Sequence, residues 1–340
     1  YDIDKKIFLE KIYGDKEADL SGVFYHYDFF NYPDQMIGVR TSKSKPKRIY
    51  FSSELASSAK ITQEQIEKVI PNSYTTYISA LSKDLNSMVI YNTGPKDPGS
   101  YYLLKNGKIS FIGSKRPSFK AKDLADVKYL KYTSRDGRTI PAYVTIPKGK
   151  GPYPLIVMPH GGPFVSETIT WDPWSQLLAS HGYMVIQPQY RGSTGYGIDH
   201  YTSAFVDGGE GGYKMQDDKD DGVIYLIENG LVDKDRVAMF GWSYGGYAAL
   251  VAASREEQLY QCVVSGAPVA KNSMQLNYYR NQLRGTGKLS QEKYWTESIS
   301  PINEVEKVNV PILLIHGAQD QRVPVSHALE YVDKLEEYNK

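Results

Sequence analysis

The sequence predicts an α/β protein: a doubly wound, mostly parallel sheet with helices on both faces, preceded by an all-β region. Three observations lead there. Residues 155–335 carry continuous apolar runs alternating with helical segments, and strands covered on both faces read as unbroken apolar runs. Residues 21–112 carry short aromatic and β-branched runs punctuated by turn residues, the pattern of successive strands without crossover helices. A polar link, Pro117 to Asp123, separates the two patterns.

In the first region Val23 to Phe30, Met36 to Val39, Arg48 to Phe51, Tyr74 to Ala80, Ser87 to Tyr91, Tyr101 to Leu104 and Lys108 to Ile112 read as strands. Asn106-Gly107 is a hairpin signal, because both central positions of a tight hairpin turn need positive φ. Ile61 to Val69 reads as one short helix capped near Thr62. Such strands build antiparallel sheets, either a sandwich or propeller blades, and no fixed repeat separates the two.

After the link, Val127 to Tyr132 and Ile140 to Ile146 read as strands joined through Ser134-Arg135-Asp136-Gly137. Strands then follow at Leu155 to Met158, Tyr183 to Gln187, Val237 to Phe240, Cys262 to Val264 and Ile312 to Ile315. Helices intervene at Trp174 to Ser180, Asp217 to Glu228 and Tyr247 to Ala253, and Ser326 to Leu335 closes the series. The expected domains are residues 1–122, all-β, and residues 123–340, α/β and incomplete at its C-terminus. Functional groups of such a sheet belong at the carboxyl ends of its strands.

With 340 residues, 41% hydrophobic and 23% charged, the chain has room for a sizeable core. Lys and Arg number 40 against 39 Asp and Glu, a net charge of +1, so no field steers it toward nucleic acid or an anionic membrane. No apolar stretch approaches the roughly 20 residues of a membrane span. Neither partner is expected, and a homo-oligomer stays open. The single cysteine, Cys262, lies in an apolar run and is expected as a small buried hydrophobe. That usage slightly favours a cytoplasmic location. A periplasmic or secreted one stays open, because a sequence opening on Tyr1 is expected to begin inside a longer protein.

Phe240-Gly241-Trp242-Ser243-Tyr244-Gly245-Gly246 fits G-x-S-x-G between an apolar run and a helical run. A serine on a sharp strand-to-helix turn has its hydroxyl exposed at the sheet edge, and glycines two before and two after permit the turn. Ser243 is therefore the candidate nucleophile. The same turn aims the N–H of Tyr244 and the positive end of a helix at the position of a developing oxyanion. His160-Gly161-Gly162-Pro163 follows the strand ending at Met158, and a Gly-rich loop there makes the N–H of Gly162 the second candidate donor. After the strand Ile312 to Ile315 comes His316-Gly317-Ala318-Gln319-Asp320-Gln321-Arg322-Val323-Pro324. Asp320 is the candidate acid that would fix an imidazole. Of the six histidines only His327 follows Asp320, and its place within about two turns of the acid makes it a helix-surface residue in this reading.

From about Val127 onward the sequence resembles the catalytic domain of the prolyl oligopeptidase family of serine peptidases, especially its acylaminoacyl-peptidase branch. The matching stretches are Pro159 to Pro163, Tyr190-Arg191-Gly192-Ser193-Thr194-Gly195-Tyr196-Gly197, Met215-Gln216-Asp217-Asp218, Gly241 to Tyr247, and His316 to Pro324. The resemblance implies an α/β-hydrolase fold, Ser243 as nucleophile, Asp320 as triad acid, Gly162 and Tyr244 as oxyanion donors, and Arg322 as the residue gripping a peptide carbonyl. It implies a catalytic histidine beyond Lys340 and, in the first region, the last blades of a β-propeller that limits substrates to short peptides.

The function expected is hydrolysis of short peptides, of acylaminoacyl-, dipeptidyl- or oligopeptidase type, through an acyl-enzyme on Ser243. A carboxylesterase, or a non-catalytic interaction protein on the same scaffold, is the alternative. No cofactor or metal is needed: Asp217, Asp218, Asp220 and Asp221 suit the start of a helix without an ion. Arg191 to Gly197 lacks the ending of a phosphate loop and is expected to anchor nearby loops. Trp171, Trp174, Phe205, Tyr278 and Tyr279 are candidate pocket walls.

Overall fold

A computed structural model describes residues 5–7, 11, 13–15, 18–41, 45–206, 209–279 and 287–340. The chain forms two compact units. One comprises Tyr1–Asn92, Ser100–Gly113 and Gly195–Gly197; the other comprises Thr93–Gly99, Ser114–Thr194 and Ile198–Lys340.

The amino-terminal strands are β1 (Leu20–Tyr25), β2 (Met36–Thr41) and β3 (Lys47–Tyr50), then, after helix α1 (Glu54–Val69), β4 (Thr75–Leu81), β5 (Ser87–Gly94), β6 (Asp97–Lys105) and β7 (Lys108–Ser114). They form two sheets, β1-β2-β3 and β4-β5-β6-β7, in which sequence neighbours lie side by side. Two expectations are corrected. The first strand stops at Tyr25, because Asp28 folds the chain back by accepting from the Asn31 N–H and side-chain amide at 3.1 and 2.8 Å. Helix α1 starts at Glu54, with Ser53 capping the Ala56 N–H at 3.1 Å. Its buried stripe opens on Ala56 and Ala59, residues too small to register as a hydrophobic period.

The second unit holds β8 (Asp126–Thr133), β9 (Thr139–Ile146), β10 (Tyr153–Val157), α2 (Pro173–Ser180), β11 (Met184–Pro188), α3 (Ile198–Thr202), α4 (Lys214–Glu228) and β12 (Val232–Trp242). There follow α5 (Tyr244–Ala253), β13 (Cys262–Gly266), α6 (Asn272–Tyr279), α7 (Gly287–Glu297), β14 (Ile312–Ile315) and α8 (Ser326–Glu337). Its seven strands run in the order β14-β13-β12-β10-β11-β9-β8. From β14 to β11 every pairing is parallel, and β9 and β8 add an antiparallel edge.

Register fixes which residues share a face. Leu155 pairs with Met184 and Val237, and Val157 with Ile186 and Met239. This face packs on Val223 and Leu226 of α4 and Ala248, Ala249 and Ala252 of α5. The opposite face, Ile156, Met158 and Val185, packs on Leu178 of α2. Each fully buried aliphatic side chain contributes about 1.5–3 kcal/mol, and Leu155→Ala in this layer would cost about 2–5 kcal/mol. Cys262 is half-buried rather than buried, at the first residue of β13. Among the described residues no helix is long and apolar enough to cross a membrane.

Candidate active site

The carboxyl end of β12 runs directly into α5, so the chain must reverse within a residue or two. Ser243 takes the strain: φ 58° and ψ −117°, a region uncomfortable for a residue with a Cβ. The turn is held from both sides, the Ser243 N–H donating to Gly266 of β13 and its carbonyl accepting from Tyr247, each at 2.9 Å. Glycine is required because the backbones touch. A Cβ on Gly241 would overlap the Gly245 carbonyl, and one on Gly245 the Pro159 carbonyl. Helix α5 begins at Tyr244, three residues earlier than expected, since its glycines depress the apparent helical signal. The Tyr244 N–H is thus among those a helix cannot satisfy internally. The ring points away from solvent, 1% exposed, with its hydroxyl 2.9 Å from that of Tyr294.

Across from the elbow lies the loop after β10. Gly161 approaches so closely that a Cβ there would stand 3.5 Å from the Ser243 Cβ. Gly162 has φ 119°, and a Cβ on it would press on the Phe164 N–H nitrogen at 2.9 Å, so only glycine fits.

Asp320 follows β14. Its Oδ1 accepts from the N–H groups of Arg322 at 2.8 Å and Val323 at 3.0 Å. Burial alone would raise its pKa, but the donors from Val323 and Arg322 and the nearby His316 hold it below the usual carboxylate value.

These residues converge. Gly162, Ser243, Tyr244, Asp320 and Arg322 line one cavity of about 400 Å³, together with Val165, Trp242, Val269, Gln275 and Trp295. The pocket-wall expectation is corrected. Trp174 lies behind Trp242, with ring centroids 5.7 Å apart. Phe205 stacks on Phe164, Trp171 packs on Phe119 and Arg116, and the Tyr278 hydroxyl donates to the Gln321 carbonyl. The Tyr279 side chain lies outside the described residues. Trp242 could have been found, as the residue inside the motif next to the serine. Trp295 and Val269 carry no local signal, because only the packing of α7 and the loop after β13 brings them in.

His327 is also corrected. It is not on the surface: α8 turns it inward, 0% exposed, with Nδ1 accepting from the Lys271 N–H at 3.2 Å. Burial pulls its pKa down to about 4. His316 is turned into its own loop, Nε2 donating to the Val323 carbonyl at 2.8 Å. Neither lines the cavity.

Helix α4 commits its acids to partners. Arg191 holds Asp218, Arg135 holds Asp221 at 2.8 Å, Arg255 reaches Asp217, and the Tyr260 hydroxyl donates to Asp220 at 2.6 Å. Arg191 is thereby the expected loop anchor.

Residues 171–340 match the model of the prolyl oligopeptidase family. The chain belongs to the prolyl oligopeptidase family. Dipeptidyl aminopeptidase BIII of Pseudoxanthomonas mexicana is 27% identical over 297 residues, covering 81% of this chain and 42% of that relative. The acylamino-acid-releasing enzyme of Homo sapiens is 29% identical over 225 residues, 62% of this chain and 30% of the relative. The chain therefore spans less than half the length of either relative. Among solved structures, a Mycobacterium tuberculosis puromycin-hydrolyzing peptidase superposes with a TM-score of 0.71 at 19% identity, covering 96% of this chain and 50% of that one. Pyrococcus horikoshii acylaminoacyl peptidase gives 0.68 at 19%, covering 95% and 50%. Both likenesses establish the fold of this family member: an α/β-hydrolase sheet preceded by an all-β region.

Proposed function

We propose that this chain carries the nucleophile, acid and oxyanion donors of a serine-type peptidase acting on short peptides. The observation that carries the reading is the strained Ser243 sharing one cavity with Asp320, Gly162, Tyr244 and Arg322. The names of the relatives, peptidases releasing dipeptides or acylated residues, support the substrate class.

The Ser243 Oγ attacks the peptide carbonyl carbon and gives its proton to an imidazole; the carbonyl oxygen becomes an oxyanion held by the N–H groups of Gly162 and Tyr244. The C–N bond then breaks as the imidazolium passes that proton to the leaving amine, and water, deprotonated by the same imidazole, releases the acyl group. Asp320 is suited to stabilise the imidazolium because its backbone donors keep it ionised. The imidazole in this reading is a histidine beyond Lys340. Arg322 grips a second peptide carbonyl. No cofactor takes part. Residues 123–340 form the catalytic domain and residues 1–122 part of a β-propeller.

The test compares a short acyl-peptide amide with a simple aryl ester in the intact protein. Ser243→Ala should abolish both turnovers. Arg322→Ala should lower kcat/KM on the peptide by about tenfold or more, the worth of one charge-assisted contact, and leave the ester within twofold. Equal losses on both substrates would favour a carboxylesterase.

A further inference from the structure

Helix α4 sends a lysine into the interior of its own unit. Lys219 is 0% exposed, a rare state for an ammonium without a paired anion. The neighbouring carboxylates are engaged elsewhere: Asp218 by Arg191, Asp220 by Tyr260 and Gln216. What the ammonium meets is the Met215 carbonyl at 2.5 Å and the face of Tyr190, 3.7 Å from the ring centroid. The Tyr244 ring lies 5.6 Å away. Burial draws the Lys219 pKa down to about 7, against the pull of Asp218 and Asp220. Packing alone gives no reason for this residue, since an apolar side chain of equal length would fill the space without desolvating a charge.

Tyr190 leads from this cation to the loop after β10. Its ring stacks on the His160 imidazole, centroids 4.4 Å apart, and its hydroxyl donates to the His160 carbonyl at 2.8 Å. His160 Nδ1 lies 2.7 Å from the Gly161 carbonyl and Nε2 2.9 Å from the Ser193 hydroxyl. A carbonyl can only accept, so Nδ1 carries the proton on the Gly161 side, with the Tyr190 hydroxyl 3.0 Å from the same nitrogen, while the Ser193 hydroxyl facing Nε2 donates its own proton to the Tyr190 carbonyl at 2.7 Å. In a trans peptide the C=O and N–H point opposite ways. Holding the Gly161 carbonyl toward His160 therefore sends the Gly162 N–H the other way.

We propose that Lys219 is a positioning residue for the oxyanion loop: seated on Tyr190, it holds the ring that fixes His160 and, through it, the Gly161–Gly162 peptide. The inference rests on the reading of Gly162 as an oxyanion donor. Cation–π attraction is strongest when desolvated, which is why the charge sits where water cannot reach it.

The experiment uses the intact protein and the variants Lys219→Met, Lys219→Gln, Tyr190→Phe and Ser243→Ala. Losing one oxyanion donor outright costs about 10²–10³ in kcat, and loosening it should cost part of that. Lys219→Met should lower kcat about tenfold or more with KM within twofold, and weaken a peptide boronic acid, which mimics the tetrahedral state, by the same factor. Its thermal midpoint should be unchanged or higher. A folded Lys219→Met protein with kcat and boronate affinity within twofold of the parent would overturn the proposal. If that variant does not fold, Lys219→Gln decides, because it takes the charge off the Tyr190 face and keeps a polar side chain: parental kcat and boronate affinity overturn, a selective fall in both supports, and Tyr190→Phe reports only the part carried by the hydroxyl. Turnover surviving in Ser243→Ala would sink the functional reading and this inference with it. A silent Ser243→Ala beside unaffected Lys219 variants sinks this inference alone.

Discussion

Arg191 and Asp218 form a two-point ion pair inside the protein, Nη2 to Oδ1 at 2.6 Å and Nε to Oδ2 at 2.8 Å, with the side chains 3% and 0% exposed. A third arm of the guanidinium reaches Asp136 at 2.8 Å. The pair fastens the loop after β11 to the first turns of α4, the helix that carries Lys219.

Removing one partner leaves the other buried and uncompensated, which costs about 3–5 kcal/mol. Asp218→Asn should therefore lower the unfolding free energy measured in urea by that much. Arg191→Lys should fall nearly as far, because an ammonium cannot match the two-point fork. A loss below about 1 kcal/mol in either variant would contradict the burial of the pair.

The turn at Ser243 stores backbone strain of about 1–3 kcal/mol. Ser243→Gly removes the Cβ and should be more stable than Ser243→Ala by about 1 kcal/mol, after the entropy cost of glycine, and so unfold at higher denaturant. Both should be inactive. Equal midpoints for the two variants would mean the turn is relaxed in solution.

His160 and His327 are held neutral by burial, each with its pKa drawn down to about 4. The unfolded chain takes up their protons near pH 6.5, the folded one only below 4, so their stabilisation is complete above about 6.5 and is lost as the pH falls toward 4. At about 1.4 kcal/mol per unit, each contributes up to about 3 kcal/mol. Urea unfolding at pH 7, 5.5 and 4.5 should show the decline, and His327→Phe should flatten it.

Much of this protein is legible locally. The elbow announces itself because a catalytic turn needs glycine at two positions where backbones touch, and the parallel strands because burial on both faces leaves no room for polar residues. The hydrophobic pattern shortens helix α1 because its first buried positions are alanines. Helical spacing cannot say which side of α8 faces the core, so His327 reads as a surface residue; the Lys271 N–H that it meets lies 56 residues earlier.

The sequence by itself determined the order of the strands and of helices α1, α2, α4, α5 and α8, though not α3, α6 or α7, the turn that strains Ser243, and the candidates Gly162, Tyr244 and Asp320, each written in residues adjacent along the chain, with Arg322 added by the family resemblance. Only the tertiary structure decided that these five line one cavity, that Trp242 and Trp295 wall it, and that Lys219 lies on Tyr190. Those relations arise where elements distant in sequence exclude water between them, and contact across such distances leaves no periodic mark on either segment.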